Sequence, residues 1–407
     1  MSERSHMLDG YRVLDFSQIV AGPTTTRLLA EMGAEVIKVE LAPDGELSRR
    51  LPYLRDGRSA YFVQQNRGKK SLCVDVRQAR GRELLLDLAA GVDVVVENFS
   101  PGVMRRLGLD WPALRVRNPG LVMCSISAFG QDGPLASLPG YDYIAQAYAG
   151  FTGLIGEADG SPYFPQLAFG DVATGGFALA GVLAALLHRE RGGSGQYLDV
   201  SLLDVYVSGP EIGIQAYSAS GGTERPRRTG AQHGTVAPLG IYRGAQGYLV
   251  IAALQRQFEQ LCTVIGQPEL AQDARFADNA ARVRNIGELT AIIEGWLGTL
   301  GDDDEAMRRL SAGHVPVAPV LSVEEMMQLD HVRQRQVVRR ITDRALGEFD
   351  VPAAPLRFSG FPEPLELQAP FLGEHNAEVL SGLGLDAGAV AALEAAGVLA
   401  AEPLPRR

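Results

Sequence analysis

Short apolar runs alternate with segments of helical spacing over residues 11–127, and this alternation limits the fold more than any other feature of the sequence. Six runs are predicted strands, at residues 12–16, 35–40, 72–76, 92–97, 121–127 and 196–203. Predicted helices lie between most of the first five, at residues 24–32, 79–90 and 101–116. Such spacing predicts right-handed βαβ units. The predicted fold class is therefore α/β, with a doubly wound parallel sheet.

The length of 407 residues suits one large domain with a smaller companion. Alternating apolar residues at 240–253 predict a hairpin, and helical segments follow over 258–310. Five prolines between positions 352 and 370 indicate an extended segment that returns to the first domain. The predicted organisation is the first part of a large domain (1–217), a linker (218–238), a small α+β domain (239–322), and a second linker with a C-terminal return (323–407).

Charge and metal-ligand spacing exclude several function classes. The net charge is −10, from 38 Lys and Arg against 48 Asp and Glu, whereas binding to a nucleic-acid backbone needs a basic surface. The three cysteines lie far apart and the six histidines show no ligand spacing, so neither disulfides nor a metal site is predicted. No nucleic-acid partner is expected, although a local basic pocket for a small anion remains open.

No targeting or membrane segment is predicted. The first ten residues are polar and charged rather than apolar, so a cytoplasmic location is expected. The longest nearly apolar run, 172–187, is shorter than the roughly 20 residues that span a bilayer, and it is predicted to be a buried helix.

Ligands bind such sheets at the carboxyl ends of the strands. No predicted strand precedes a GxGxxG segment, and the P-loop, GxSxG and HExxH patterns are absent. The sequence therefore argues against dinucleotide binding, Walker-type nucleotide binding, a serine-hydrolase elbow and a zincin helix.

Asp171 is the strongest candidate for a catalytic residue, because it lies between Gly170 and Gly175 directly before the long apolar segment. It is predicted to be the N-cap, where backbone N–H groups and the helix dipole would keep the carboxylate ionised. A carboxylate held there could serve as a covalent nucleophile. From position alone, a purely structural cap remains an alternative.

Basic residues near strand ends are candidates for phosphate binding, with a solvated charged face as the alternative. They are Arg67, Lys69, Lys70, Arg77, Arg105 and Arg106. The turn at Ala21-Gly22-Pro23 would let a ligand approach the backbone closely, although ordinary turn chemistry explains it equally well.

Ten segments, in order, resemble the class III CoA-transferases of the CaiB/BaiF type, a family that includes formyl-CoA transferase and carnitine CoA-transferase, with α-methylacyl-CoA racemase as a divergent branch. They are LDFSQIVAGP (14–23), LLAEMGAEVIKVE (28–40), NRGKKSLCVDV (66–76), VDVVVENFSPGVMRRLG (92–108), SISAFGQDGP (125–134), PGYDYIAQAYAGFTGLIG (139–156), GDVATG (170–175), GSGQYLDVSLLD (193–204), VPVAPVLSVEE (315–325) and LGEHNAEVL (372–380).

The resemblance implies an acyl-CoA:carboxylate CoA-transferase with Asp171 as its nucleophile. The aspartate would attack the thioester to give a mixed anhydride, and the CoA thiolate would then return to form an aspartyl-CoA thioester. The substrates would be acyl-CoA and a carboxylic acid acceptor, without a tightly bound cofactor or metal. The family fold implies a Rossmann-like large domain, a small domain and an interlocked, ring-like homodimer.

The resemblance also implies a set of CoA contacts. They are Gln18, Val20, Ala21, Val74, Asp75, Val76, Arg77, Asn98, Phe99, Ser100, Arg106, Ser127, Ala128, Phe129 and Gly130. Leu41 departs from formyl-CoA transferase, which has an arginine at this point, and Arg49 is a candidate to replace that phosphate contact.

Two other functions stay open. A racemase of this family uses a histidine before the aspartate that here is Asp142, but Tyr141 holds that place and a phenol is a poor base at neutral pH. A non-catalytic CoA-binding subunit is the other alternative, and the presence of Asp171 argues against it. For the acyl group, polar side chains suggest a second carboxylate, as in succinyl: Tyr141, Tyr143, Tyr148, Gln166 and His233.

Overall fold

Both ends of the chain belong to one structural unit, and most of its middle belongs to another. The computed structural model describes residues 6–209, 213–361 and 365–404. The first unit comprises Met1–Ala149, Leu167–Gly209 and Gln334–Arg407, and the second comprises Gly150–Gln166 and Pro210–Arg333.

Strands and helices alternate through the first 130 residues, as predicted. The strands are β1 (Arg12–Asp15), β2 (Glu35–Leu41), β3 (Leu54–Arg55), β4 (Arg58–Ser59), β5 (Lys69–Val74), β6 (Val94–Glu97), β7 (Val122–Ser127), β8 (Tyr197–Ser201), β9 (Leu239–Arg243), β10 (Tyr248–Ala252), β11 (Val317–Pro319), β12 (Val338–Asp343) and β13 (Gly347–Pro352). The α-helices are α1 (Ala21–Glu31), α2 (Ala60–Asn66), α3 (Ala79–Ala90), α4 (Val103–Leu107), α5 (Trp111–Arg117), α6 (Asp142–Tyr148), α7 (Phe169–Glu190), α8 (Leu202–Ser208), α9 (Gly213–Ala219), α10 (Gln255–Val264), α11 (Asn279–Arg284), α12 (Ile286–Leu300), α13 (Asp303–Ala312), α14 (Val323–Gln328), α15 (Asp330–Gln334), α16 (Asn376–Ser381) and α17 (Ala387–Ala395). Within the described residues, 3-10 helices occupy Leu47–Arg50, Thr152–Leu154 and Pro268–Gln272.

The first unit contains a six-stranded sheet in the order β5-β2-β1-β6-β7-β8, and every neighbouring pair in it is parallel. The prediction of a parallel α/β sheet is confirmed. The chain moves outward from β1 through β2 to β5 and then returns to β6 on the other side of β1. The strand order therefore reverses between β1 and β6, where their carboxyl ends leave a crevice for a ligand.

Two apolar cores cover the two faces of this sheet. Because successive strand residues point to opposite faces, Leu14 belongs to one core and its neighbour Val13 to the other. Helices α3, α5, α16 and α17 contribute to the first core, and α1 and α7 to the second. Apart from the edge strand β8, the apolar runs predicted as strands are buried on both sides, which is typical of parallel sheets.

Helix α7 has 22 residues and extends beyond both ends of the apolar run, 172–187, from which it was predicted. It packs on α1, and Ala178, Val182 and Leu186 are buried on that face. Its other face leaves Phe169, Val172 and Phe177 more than half exposed. By length and composition alone α7 could cross a membrane, a test that core helices also pass. The predicted buried helix is thus buried along one face only.

The second unit has a three-stranded antiparallel sheet in the order β11-β10-β9. Strands β9 and β10 form the predicted hairpin. Helices α10, α12 and α13 enclose a separate core with them, around Tyr242, Leu249 and Phe258.

Candidate active site

A cavity of about 260 Å³ opens beside the carboxyl ends of β1, β6 and β7, at the reversal of strand order. Ten of the predicted site residues line it: Gln18, Val20, Ala21, Asn98, Phe99, Ser100, Ser127, Ala128, Phe129 and Asp171. Among the described residues that line this cavity, Asp171 is the only carboxylate. A single acidic group therefore faces the space in which a ligand of this sheet would bind.

Asp171 is the third residue of α7 and not its N-cap, which is Ala168. The N-cap prediction is wrong because the helix begins two residues before Asp171. The backbone N–H of Asp171 donates a hydrogen bond to Oδ2 of Asp142 at 2.7 Å. Asp171 still lies in the first turn, so the positive end of the helix dipole is close to it.

Tyr206 fixes the turn that carries Asp171. Its hydroxyl donates to Oδ1 of Asp142 and accepts from the backbone N–H of Gly170 at 3.0 Å. A Cβ on Gly170 would lie 2.2 Å from the Tyr206 ring, so only glycine fits before the aspartate. Asp142 and Tyr206 together hold the backbone on both sides of the Gly170–Asp171 peptide.

The second glycine of the motif brings α7 close to α1. A Cβ on Gly175 would lie 2.7 Å from the carbonyl oxygen of Ala21 and 2.8 Å from Cβ of Thr24. Thr25 Oγ1 donates to the Gly175 carbonyl oxygen at 3.0 Å across this contact. The close approach places Asp171 near the segment 18–21, which also lines the cavity.

Burial, and next the negative charge of Asp142, together raise the pKa of Asp171 to about 7. The sequence predicted instead that helix capping keeps the group ionised. The difference arises because folding desolvates the Asp171 carboxylate and, within the described residues, brings no cationic side chain beside it. A carboxylate with a pKa near neutrality is a stronger nucleophile than an ordinary one, and it is still ionised in about half of the molecules at pH 7.

Tyr61 of α2 is a neighbour of Asp171 that the sequence analysis missed. Burial, and next the charge of Asp171, raise the pKa of Tyr61 to about 12. Its phenol therefore stays protonated and can donate a hydrogen bond. No local pattern marks Tyr61, because only folding brings α2 to the beginning of α7.

Asn98 lines the cavity and also holds its wall in place. Its Oδ1 accepts from the backbone N–H of Gln18 at 2.7 Å, and its Nδ2 donates to the Gln18 carbonyl oxygen at 2.8 Å. The side-chain amide thus links the ends of β1 and β6.

Six predicted contacts do not line this cavity: Val74, Asp75, Val76, Arg77, Arg106 and Gly130. Val74 and Val76 are core residues. Arg77 pairs with Asp75 at 2.8 Å on the surface, with its side chain 75% exposed. Gly130 shapes the loop after β7, at a φ of +88°, and donates to Ser127 Oγ.

The basic residues at the beginning of β5 and directly before it all belong to ion pairs, although Lys70 is partly exposed. Arg67 pairs with Glu31, Lys69 with Asp15 and Lys70 with Glu35. Arg67 and Lys69 are almost fully buried in these pairs.

Arg49 does not take the place of the missing arginine at Leu41. Its guanidinium donates to both oxygens of Glu40, at 2.6 and 2.7 Å, and stacks on Phe62. It is therefore committed to a mostly buried ion pair.

A second cavity, of about 560 Å³, adjoins the first and shares Ser100, Pro101 and Ala136 with it. Arg105 lines it, as does Glu97, whose pKa burial raises to about 7. In the described part of the chain, no group of three or more His, Cys, Asp or Glu side chains is placed to hold a metal ion.

Comparison with known proteins places this chain in a family. The model of CoA-transferase family III matches residues 8–376. A succinate–glutarate CoA-transferase of Agrobacterium fabrum is 36% identical over 94% of this chain and 97% of its own length. A succinyl-CoA:mesaconate CoA-transferase of Haloarcula hispanica is also 36% identical, over the same shares of the two chains. The crystal structure of a CaiB/BaiF family protein from Brucella suis superimposes with a TM-score of 0.81 at 36% identity, covering 93% of this chain and 99% of that one.

Proposed function

Because this chain belongs to CoA-transferase family III, we propose that it transfers CoA from an acyl-CoA to a carboxylate through covalent intermediates on Asp171. The observation that carries the proposal is that Asp171 is the only carboxylate among the described residues lining the cavity at the strand ends.

In the first step, an ionised oxygen of Asp171 attacks the thioester carbonyl of the donor. The C–S bond breaks, the electron pair leaves with sulfur, and the products are a mixed anhydride on Asp171 and CoA thiolate. The thiolate then attacks the aspartyl carbonyl of the anhydride. The donor acid leaves as a carboxylate, and an aspartyl-CoA thioester remains.

In the second half, the acceptor carboxylate attacks the aspartyl-CoA thioester and expels CoA thiolate again. The thiolate attacks the acceptor carbonyl of the new anhydride, which releases the new acyl-CoA and restores the Asp171 carboxylate. No net proton is gained or lost, so the sequence needs no separate acid or base.

Each tetrahedral intermediate carries an oxyanion that needs hydrogen-bond donors. The N–H groups of Gly170 and Asp171 already donate to Tyr206 and Asp142. We therefore assign this role to the backbone N–H groups of Ala21 and Gly22 at the beginning of α1, because Pro23 has no N–H and the N–H of Thr24 donates to the Val20 carbonyl oxygen. N–H groups of a first turn lack intrahelical acceptors, and the helix dipole favours negative charge there.

The two adjoining cavities together suit a long ligand such as CoA. The thioester would lie by Asp171 in the first cavity, and the nucleotide end would extend past Ser100 and Pro101 into the second. Of the two arginines predicted to bind phosphate here, Arg105 lines the second cavity, and we propose it as the phosphate contact.

For the acyl group, we propose a dicarboxylic acid such as succinate. The names of two relatives specify succinate or succinyl-CoA together with a second dicarboxylic acid. Tyr141 lines the cavity beside Asp171 and is a candidate donor for a distal carboxylate.

The test is to trap the aspartyl intermediate. Incubation with succinyl-CoA and hydroxylamine should modify only the peptide that contains Asp171, as measured by mass spectrometry. Asp171→Ala should abolish labelling and turnover while calorimetry still detects CoA binding. Acetyl-CoA, which lacks the distal carboxylate, should label the wild type more slowly.

The matched control is Asp87→Ala, which removes a half-exposed carboxylate paired with Arg117. This variant should label like the wild type. Turnover by Asp171→Ala would rule out the nucleophile. Exchange of the α-proton of a 2-methylacyl-CoA in D₂O without any acceptor would instead support a racemase.

A further inference from the structure

The loop of residues 17–20, between β1 and α1, has an unusual conformation at its centre. Ile19 has a φ of +68°, in the left-handed region that β-branched residues rarely adopt. Gln18, Ile19 and Val20 all line the cavity that contains Asp171. Something must therefore hold the loop in this strained form at the place where a ligand would contact it.

Two buried charged side chains make hydrogen bonds to the backbone of this loop. Glu46 Oε1 accepts from the backbone N–H of Ile19 at 2.8 Å. Lys38 Nζ donates to the carbonyl oxygen of Ser17 at 2.7 Å and pairs with Glu46 Oε2 at 2.8 Å. The ion pair thus holds the loop on both sides of Gln18.

A second ion pair supports the first. Asp15 Oδ1 accepts from the backbone N–H of Ser17 at 2.8 Å, and Asp15 Oδ2 pairs with Lys69 at 2.9 Å. Burial alone would raise the pKa of Asp15, but Lys38 and Lys69 together lower it to about 2. The cluster contains two acids and two bases, all fully buried or nearly so.

A purely structural role would require only that these four charges neutralise one another. Buried ion pairs contribute little net stability compared with apolar packing. Here, however, three of the four side chains make hydrogen bonds to backbone atoms of the loop. Neither Lys38 nor Glu46 belongs to the described residues that line the cavity, although Leu47, next to Glu46, does. Their hydrogen bonds to the loop of residues 17–20 are therefore their direct link to the cavity wall.

We propose that Glu46 and Lys38 are positioning residues, which hold Ile19 in its left-handed conformation and thereby present the loop to acyl-CoA beside Asp171. This inference rests on the proposed function of the cavity as the acyl-CoA site. It assigns to two residues remote from the ligand a part in binding it.

The test uses Ile19→Gly, because glycine adopts a positive φ without strain and no longer needs Glu46 to hold it. In the wild-type background, Glu46→Ala should raise the Kd for CoA and the KM for succinyl-CoA by about tenfold or more, since a hydrogen bond to a charged group is lost. In the Ile19→Gly background, the same change should raise them by no more than about threefold.

Asp343→Ala is the control for loss of a buried ion pair. Asp343 pairs with Arg58 at 2.7 Å in the same unit. This variant should lower Tm and leave Kd and KM unchanged. Where Glu46→Ala does not fold, Glu46→Gln and Lys38→Met are compared in the same two backgrounds.

The outcomes separate the two proposals. A wild-type protein that does not bind CoA contradicts the proposed function. If the wild type binds CoA, two results overturn the positioning role alone: Glu46 variants that lower Tm without weakening binding, or effects of Glu46 and Ile19 changes that simply add. Rescue of binding by Ile19→Gly supports it.

Discussion

At the scale of single residues, the environment of Asp171 determines its chemistry. Its side chain is mostly buried beside Asp142, and no cationic group among its described neighbours offsets these effects on its pKa. Because the cavity disfavours the ionised carboxylate, ionised Asp171 lowers the stability of the folded protein and is more nucleophilic than an ordinary aspartate.

The pH dependence of stability follows from this shift. Because the pKa of Asp171 is higher in the folded chain (about 7) than its ordinary value of 3.8, the folded state binds the proton more tightly. The stability that the group contributes is complete below pH 4 and is lost as the pH rises through 7. Asp171→Asn should therefore be more stable than the wild type above pH 7, by up to roughly 4 kcal/mol.

Urea unfolding between pH 4 and pH 9 measures this difference, which should disappear at the acid end. Wild-type turnover should rise with pH to a plateau, with its midpoint near 7, as long as attack by Asp171 limits the rate. Equal stability of the two proteins at pH 9 would contradict the raised pKa of Asp171.

At the scale of elements, the contact between α1 and α7 brings Asp171 to the same cavity as residues 18–21. It depends on Gly175, where a side chain would meet the backbone of Ala21. The neighbouring Gly176 has no atom within 4 Å of the position of an added Cβ. Gly175 and Gly176 therefore allow the same substitution to be compared at a packed and an unpacked position of one helix.

Gly175→Ala should separate α7 from α1, lower stability by about 1–3 kcal/mol and reduce kcat/KM, because overpacking displaces Asp171. Gly176→Ala should keep activity and raise stability by up to about 1 kcal/mol, since alanine is the better helix former. Thermal unfolding and steady-state kinetics of the two variants check this, and equal behaviour would argue against close packing at Gly175.

At the scale of the whole molecule, the exposed apolar face of α7 indicates a partner. Phe169 and Phe177 are 65% and 57% exposed in a helix whose other face is core. Exposed apolar patches of this kind mark interaction surfaces. Together with the family resemblance, this supports a proposed homodimer.

Phe177→Asp should dissociate that dimer, because burying an unpaired carboxylate at an interface is strongly unfavourable. Light scattering coupled to size exclusion should give the mass of two chains for the wild type and of one chain for the variant. Val116→Asp, at an 83% exposed position, is the control and should stay dimeric. A wild-type monomer would contradict the proposal.

The parallel sheet and the position of Asp171 at the beginning of a long helix were predictable, because hydrophobic period and glycine placement are local properties. The hairpin at β9–β10 was predictable for the same reason. The N-cap assignment failed because helix boundaries depend on which backbone groups find partners. Here Asp142 accepts from the N–H of Asp171, 29 positions away, and Tyr206 accepts from that of Gly170, 36 positions away.

The sequence by itself determined the fold class, the family and the identity of the acidic residue, since each depends on residue order alone. Only the tertiary structure decided which residues surround Asp171 and what the basic residues do. Lys69 and Arg49 look like free cations in the sequence, yet folding pairs them with Asp15 and Glu40. Burial and charge pairing are properties of positions in space, and these determine both the pKa of Asp171 and the conformation of the loop beside it.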